Sequence, residues 1–148
     1  MGNFYANDRP DETAANHVKD NNFRGIAIYN GNLYVSKGSG GNGDNGVFRV
    51  FNGTGDGLPT TSGNTIMQLL GLPATDPASK AAGIYTSYGF FFGDGNTVYV
   101  ANEGNVVTDA AGNLTQDPLS GIQKWVLSGT TWKLAYAAFR GVAFSPTK

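Results

Sequence analysis

Histidine and cysteine, which supply many catalytic groups and metal ligands, are almost missing from this sequence. His17 is the only histidine among 148 residues, and there is no cysteine. One histidine cannot form a multi-histidine metal centre, and without cysteine there is neither a thiolate site nor a disulfide. His17 lies in a polar N-terminal segment, so we expect a surface side chain there and not a member of a Ser-His-Asp triad.

Three loops have compositions that could bind ions. The glycine-rich loop from Lys37 to Gly46 exposes its backbone as a phosphate site would, but it lacks the Gly-Lys-Ser/Thr ending of a P-loop. Within it, Gly40–Asn45 nearly matches a calcium-binding nonapeptide, with Asp44 one position early. Asp94-Gly95-Asn96 begins like an EF-hand loop and then continues with apolar residues. We interpret all three as plain turns.

The elements that must position any site are hairpins, and one hairpin occurs twice. Phe23–Lys37 contains two apolar runs joined by Asn30-Gly31, a strong signal for a two-residue hairpin turn. Tyr88–Glu103 repeats its order of glycine, apolar run, turn and apolar-Tyr-Val. A third copy begins at Arg140-Gly141-Val142-Ala143-Phe144.

Two further strands follow each hairpin, so the pattern predicts two units of four antiparallel strands. The expected strands are Phe23–Tyr29, Asn32–Ser36, Val47–Phe51 and Thr65–Leu70, then Tyr88–Phe92, Thr97–Ala101, Gly121–Leu127 and Thr131–Tyr136. We divide the chain into a polar segment 1–22, a first repeat 23–82, a second repeat 83–139 and the first strand of a third repeat, 140–148. A long loop is expected at Asn102–Ser120.

The predicted fold class is all-β, and the repeat favours a partial β-propeller over an Ig-like sandwich. Repeated units of four short antiparallel strands are typical of propeller blades. Closed propellers need about four to eight blades, whereas this chain has two and the start of a third. We therefore expect a fragment of a longer chain or, alternatively, a subunit that forms a ring or fibre through its open edges.

Composition excludes some partners. The net charge of −1 gives no basic field for nucleic acid, and no stretch is apolar and long enough to span a membrane. Only 14% of the residues are charged. A cysteine-free surface of Gly, Asn, Ser and Thr favours an extracellular or periplasmic location.

The repeated segments resemble NHL-like blades and the related gluconolactonase-like propellers. The resemblance is carried by Arg24–Ile28 with Asn32–Val35, by Tyr88–Phe90 with Asn96–Asn102, and by Gly121–Trp125. It spans roughly residues 23–145. It implies that the partners of these blades are further propeller blades, from a longer parent chain or from other copies.

In such a propeller the first strand of each blade lines a channel, and the loop after the second strand forms its rim. The candidate channel or rim residues are then Asn22, Arg24, Lys37, Tyr88, Asn102, Glu103 and Arg140. By resemblance to the gluconolactonase-like proteins, Asn22, Asn102 and Glu103 could hold one divalent cation such as Ca²⁺. Alternatively, the charged members form ion pairs and hydrogen bonds between blades.

Aromatic residues of the outer strands give a last candidate surface. Trp125, Trp132 and Tyr136 could form a platform that stacks on carbohydrate, or could pack one blade on the next. Strict alternation places Trp132, Leu134 and Tyr136 on one face, which favours core packing.

The sequence thus supports two hypotheses. The first is a non-catalytic propeller module with a structural or binding role. The alternative is part of a metal-dependent hydrolase of the lactonase or esterase kind. A hydrolase of that kind should hold a divalent ion tightly, which a scaffold need not.

Overall fold

The computed structural model describes residues 23–38, 45–72, 87–104, 106–116 and 120–139. These residues form ten strands: β1 Phe23–Tyr29, β2 Asn32–Lys37, β3 Gly46–Val50, β4 Ile66–Gln68, β5 Ser87–Asp94, β6 Thr97–Asn102, β7 Val106–Thr108, β8 Leu114–Gln116, β9 Gly121–Ser128 and β10 Thr131–Phe139. No helix occurs among the described residues. The predicted third repeat and the candidate residues Asn22 and Arg140 lie outside these ranges.

The strands form two four-stranded antiparallel sheets, as predicted. Sheet 1 has the order β1-β2-β3-β4, and sheet 2 has the order β5-β6-β9-β10. The segment expected to be one long loop, 102–120, instead contains β7 and β8, which pair as a separate hairpin. Its turn is stabilised by Asp109, whose Oδ1 accepts hydrogen bonds from the backbone N–H groups of Ala111 and Asn113. A short hairpin of this kind has too few apolar residues to give a strand signal in the sequence.

The tight turns follow the local chemistry. Asn30 and Gly31 both have positive φ, 48° and 74°, which is the backbone of a two-residue hairpin turn that follows the strand twist. At the equivalent turn of sheet 2, the backbone N–H of Asn96 donates to Asp94 Oδ1 at 2.7 Å. The EF-hand-like start at Asp94 is therefore a turn in which the aspartate accepts the backbone N–H group two residues further on, as expected.

The repeat seen in the sequence is also a repeat of strand pairing. Ala27 lies opposite Tyr34 in sheet 1, and Phe91 lies opposite Tyr99 in sheet 2. In both sheets the register shifts immediately before the first glycine of the first strand, Gly25 in β1 and Gly89 in β5. Each residue of the first hairpin consequently has an equivalent in the second.

The equivalence continues into the third strands. Lys37 pairs with Gly46 at the start of β3, as Asn102 pairs with Gly121 at the start of β9. The two sheets are therefore copies of one unit over three strands.

Each sheet has two faces, which we name by this equivalence. The front face carries Ala27 and Tyr34 in sheet 1, and Phe91 and Tyr99 in sheet 2. The back face carries the residues at the alternate positions of the same strands, including Leu33 in sheet 1. Side chains alternate between the faces of a strand, so the pairing assigns each residue to one face.

The main core lies where the front face of sheet 1 meets the back face of sheet 2. It contains Tyr34 and Val47 from sheet 1, and Phe92, Val98, Val100, Trp125 and Trp132 from sheet 2. At its centre the Phe92 ring stacks on Tyr29 with centroids 4.7 Å apart and meets Tyr34 at 4.6 Å. The two sheets are thus packed front to back.

The two remaining faces also carry apolar side chains, and on the front face of sheet 2 these lie beside Lys124 and Lys133. The back face of sheet 1 has its own cluster of Val35, Phe48, Val50 and Ile66. The front face of sheet 2 exposes Phe91, Ile122 and Tyr136.

One expectation about β10 is wrong. Leu134 pairs with Trp125, but a bulge follows, and Tyr136 pairs with Lys124. Because Trp125 and Lys124 are neighbours on β9, their partners lie on opposite faces. Tyr136 is therefore on the exposed front face, whereas Trp132 is in the core. A bulge inserts a residue and breaks strict alternation.

The central position of Phe92 gives a direct test of this core. We expect Phe92→Ala to lower the free energy of unfolding by about 3–5 kcal/mol, because it leaves a cavity between Tyr29 and Tyr34. Leu114→Ala, at a side chain 77% exposed on β8, should change it by less than about 0.5 kcal/mol. Urea unfolding followed by tryptophan fluorescence measures both, and equal effects would contradict the core assignment.

Candidate site where the first hairpins meet

Four of the seven predicted channel or rim residues lie at the same end of the first two strands of each sheet, which are β1 and β2 in sheet 1 and β5 and β6 in sheet 2. Arg24 is on β1, Lys37 ends β2, Tyr88 is on β5 and Asn102 ends β6. Glu103 follows Asn102 directly. Asn22 and Arg140 lie outside the described residues.

β1 and β2 meet β5 at this end through polar contacts between the sheets. Ser36 Oγ donates to the carbonyl oxygen of Tyr88 at 3.1 Å, and Ser87 Oγ donates to the carbonyl oxygen of Lys37 at 3.3 Å. Both serines are buried. The bonds therefore satisfy main-chain groups that would otherwise be costly to bury, and they fix how one sheet sits on the other.

Gly25 makes this approach possible. A Cβ at Gly25 would lie 2.8 Å from Ser36 Oγ and 3.5 Å from the Cα of Gly89. The glycine is needed for close approach and not for a special φ angle. At the equivalent Gly89 a Cβ would have no neighbour within 4 Å.

Arg24 links the same strands on the exposed side. Its Nε donates to the carbonyl oxygen of Gly38 at 2.8 Å, and its guanidinium carbon lies 5.2 Å from the centroid of the Tyr88 ring. A cation over an aromatic face at this distance is attractive. This contact corresponds to the alternative in which the charged candidates join neighbouring sheets.

Of the three residues proposed for a cation, Asn102 and Glu103 lie within the described ranges. Asn102 is buried, and its Oδ1 accepts the backbone N–H of Gly104 at 3.1 Å. Glu103 is exposed. The described residues contain no cluster of three or more His, Cys, Asp or Glu side chains that could hold a metal.

A second polar cluster stabilises the loop after β3. Arg49 donates to Asn32 Oδ1 at 2.7 Å and forms an ion pair with Asp56, while its guanidinium lies over the Phe51 ring. Asn32 Oδ1 also accepts the backbone N–H of Gly57 at 2.9 Å. The contacts all serve to hold a turn-rich loop against sheet 1.

The feature that sequence reasoning did not assign is a pocket on the outer face of sheet 1. On sheet 1, a pocket of about 310 Å³ is lined by Phe23, Arg24, Gly25, Ile26, Leu33, Val35, Val50 and Ile66. Ile26 at its margin is 75% exposed, and on sheet 2 the Phe91 side chain is 68% exposed. The repeat of the two hairpins is the sequence signal that points to this surface. If one face of each repeat is buried inside the chain, the equivalent face of the other repeat is expected to be apolar as well.

No family model, curated protein or solved structure matches this chain. Within the described ranges, no helix is long and apolar enough to cross a lipid bilayer.

The two equivalent glycines provide a matched pair of substitutions. Gly25→Ala should lower the free energy of unfolding by about 1–3 kcal/mol, because the added methyl group displaces Ser36 Oγ from its bond to Tyr88. Gly89→Ala in dilute protein should cost less than about 0.5 kcal/mol. Urea denaturation compares them, and equal costs would refute the close contact between β1 and β5.

Tyr34 makes the core sensitive to alkaline pH. Burial raises the pKa of its phenol above the ordinary value of 10.0, Arg49 opposes this, and Asp56 adds to it. A raised pKa means that the folded state favours the neutral phenol, so this contribution to stability is complete below pH 10 and falls as pH rises further. We expect the unfolding free energy of the wild type to fall more steeply above about pH 10 than that of Tyr34→Phe. Parallel pH profiles from urea unfolding would contradict this role.

Proposed function

We propose that this chain is a portion of an NHL-like β-propeller that acts as a non-catalytic structural or binding module outside the cytoplasm. The observation that carries the proposal is the front-to-back packing of two equivalent four-stranded sheets. Successive blades of a propeller pack in this repeating manner around an axis, with the first strand of each blade innermost. The contacts of β1 with β5 fit that arrangement.

The polar contacts where β1 and β2 meet β5 also favour a structural role. Its polar groups are engaged in joining the sheets: Ser36 and Ser87 bind carbonyl groups of the other sheet, and Arg24 binds Gly38 and Tyr88. A catalytic site needs groups that point at a substrate and hold some of their hydrogen-bonding capacity for it. The bonds at these three side chains instead stabilise the sheet pair.

An extracellular or periplasmic location fits the composition. The chain has no cysteine, only 14% charged residues and 22 glycines.

The rival function is a metal-dependent hydrolase of the lactonase or esterase kind, with Ca²⁺ held by Asn22, Asn102 and Glu103. The two functions differ in their response to a divalent cation. A ligand that binds only the folded state, at 100 times its dissociation constant, adds about 2.7 kcal/mol to the free energy of unfolding.

We expect neither chelation with EDTA nor added Ca²⁺ to move the melting temperature of the purified chain. We also expect no hydrolysis of simple lactones or aryl esters, and Glu103→Gln should behave as the wild type does. Thermal melts and a chromogenic ester assay measure these effects. A rise of several degrees in Ca²⁺ that Glu103→Gln abolishes, together with hydrolysis, would refute the proposed function in favour of the hydrolase.

A further inference from the structure

The internal junction of the two sheets defines which surfaces fit each other. At that junction, the front face of sheet 1 covers the back face of sheet 2. The faces left over are the back of sheet 1 and the front of sheet 2. One of them is a front face and the other is a back face, which is the combination that already packs inside the chain.

The residue sizes at the outer faces are complementary. Inside the chain, the small Ala27 is on the face that meets the large rings of Phe90 and Phe92. At the outer faces the sizes are exchanged: Phe91 is the equivalent of Ala27, and Ile26 and Ile28 are the equivalents of Phe90 and Phe92. The large ring of Phe91 is therefore on the front face of sheet 2, and the smaller Ile26 and Ile28 are on the back face of sheet 1 that would meet it.

The pocket on sheet 1 can accept an aromatic ring. It has a volume of about 310 Å³, and Ile26 lines it together with Leu33, Val35, Val50 and Ile66. An apolar cavity of about 150 Å³ with similar walls admits benzene. Phe91 is 68% exposed and is the front-face equivalent of Ala27. In a junction built like the internal one, it would face the back of sheet 1, where Ile26 and this pocket lie.

From this equivalence we infer that the partner of the outer faces is a second copy of this chain. The front of sheet 2 in one copy packs on the back of sheet 1 in the next, and Phe91 enters the pocket beside Ile26. The inference rests on the proposed function as a propeller-like module and names its partner. The interface is heterologous, so repetition gives a ring if the rotation closes and a filament if it does not.

Two single substitutions separate the two sides of this interface. Phe91→Asp destroys the inserted side chain but leaves the pocket, and Ile26→Asp does the reverse. Both sites are exposed in the single chain, at 68% and 75%, so each variant should fold as the wild type does. Leu114→Asp is the matched control, since Leu114 is 77% exposed but lies on β8, which pairs only with β7 and belongs to neither four-stranded sheet.

We expect the wild type and Leu114→Asp to form particles larger than the 15.5 kDa chain, and each of the other two variants to be monomeric. Light scattering at about 50 µM, where a micromolar interface is largely occupied, gives the masses. Near-ultraviolet circular dichroism checks that the variants are folded. If an Asp variant does not fold, Phe91→Ala serves instead and should raise the dissociation constant about tenfold or more.

The decisive measurement is the mixture of Phe91→Asp with Ile26→Asp. One intact interface remains between them, so the mixture should form a 1:1 dimer that neither variant forms alone. A wild type that stays monomeric, as it would if its partners were further repeats of a longer chain, overturns the inference. A mixture that stays monomeric also overturns it. Neither result touches the proposed function, which the cation and hydrolysis measurements test separately.

Discussion

The packing of Phe92 between Tyr29 and Tyr34 is the interaction on which the rest of this structure depends. A four-stranded sheet with apolar side chains gains stability in water when at least one of its faces is covered. Sheet 1 supplies two aromatic rings on one face, and sheet 2 supplies the ring that fits between them. The front-to-back orientation of the two sheets follows from this contact.

The same contact determines what the polar side chains near β1 and β5 can do. Bringing β1 against β5 requires a glycine at position 25 and places main-chain carbonyl groups in a buried environment. Ser36 and Ser87 satisfy those carbonyls, and Arg24 covers their exposed side. Polar side chains that a channel site would direct at a ligand are therefore part of the junction between sheets.

Much of this fold could be predicted from the sequence, because its signals are local. Asn30-Gly31 predicts its turn, and the repeated Gly and Tyr-Val positions predict two equivalent sheets. The bulge that moves Tyr136 to the other face could not be predicted, since it depends on pairing between β9 and β10. Nor could the engagement of Asn102 with Gly104, which follows from the backbone bending after β6. Arg24, Lys37, Tyr88 and Asn102 lie at the same end of their strands, but their contacts depend on tertiary packing.

The internal junction and the outer faces differ in polarity, and this difference orders folding before association. The equivalents of Ser36 and Ser87 at the outer faces are Ala101 and Phe23. Neither has a hydroxyl group, so a junction between copies lacks both of the hydrogen bonds that align the internal one. Hydrogen bonds to buried carbonyls give orientation, whereas apolar contact is not directional. The internal junction is also formed within one chain and needs no second molecule. Sheet 2 therefore docks on sheet 1 of its own chain first, and the exposed ring of Phe91 remains available for an apolar pocket elsewhere.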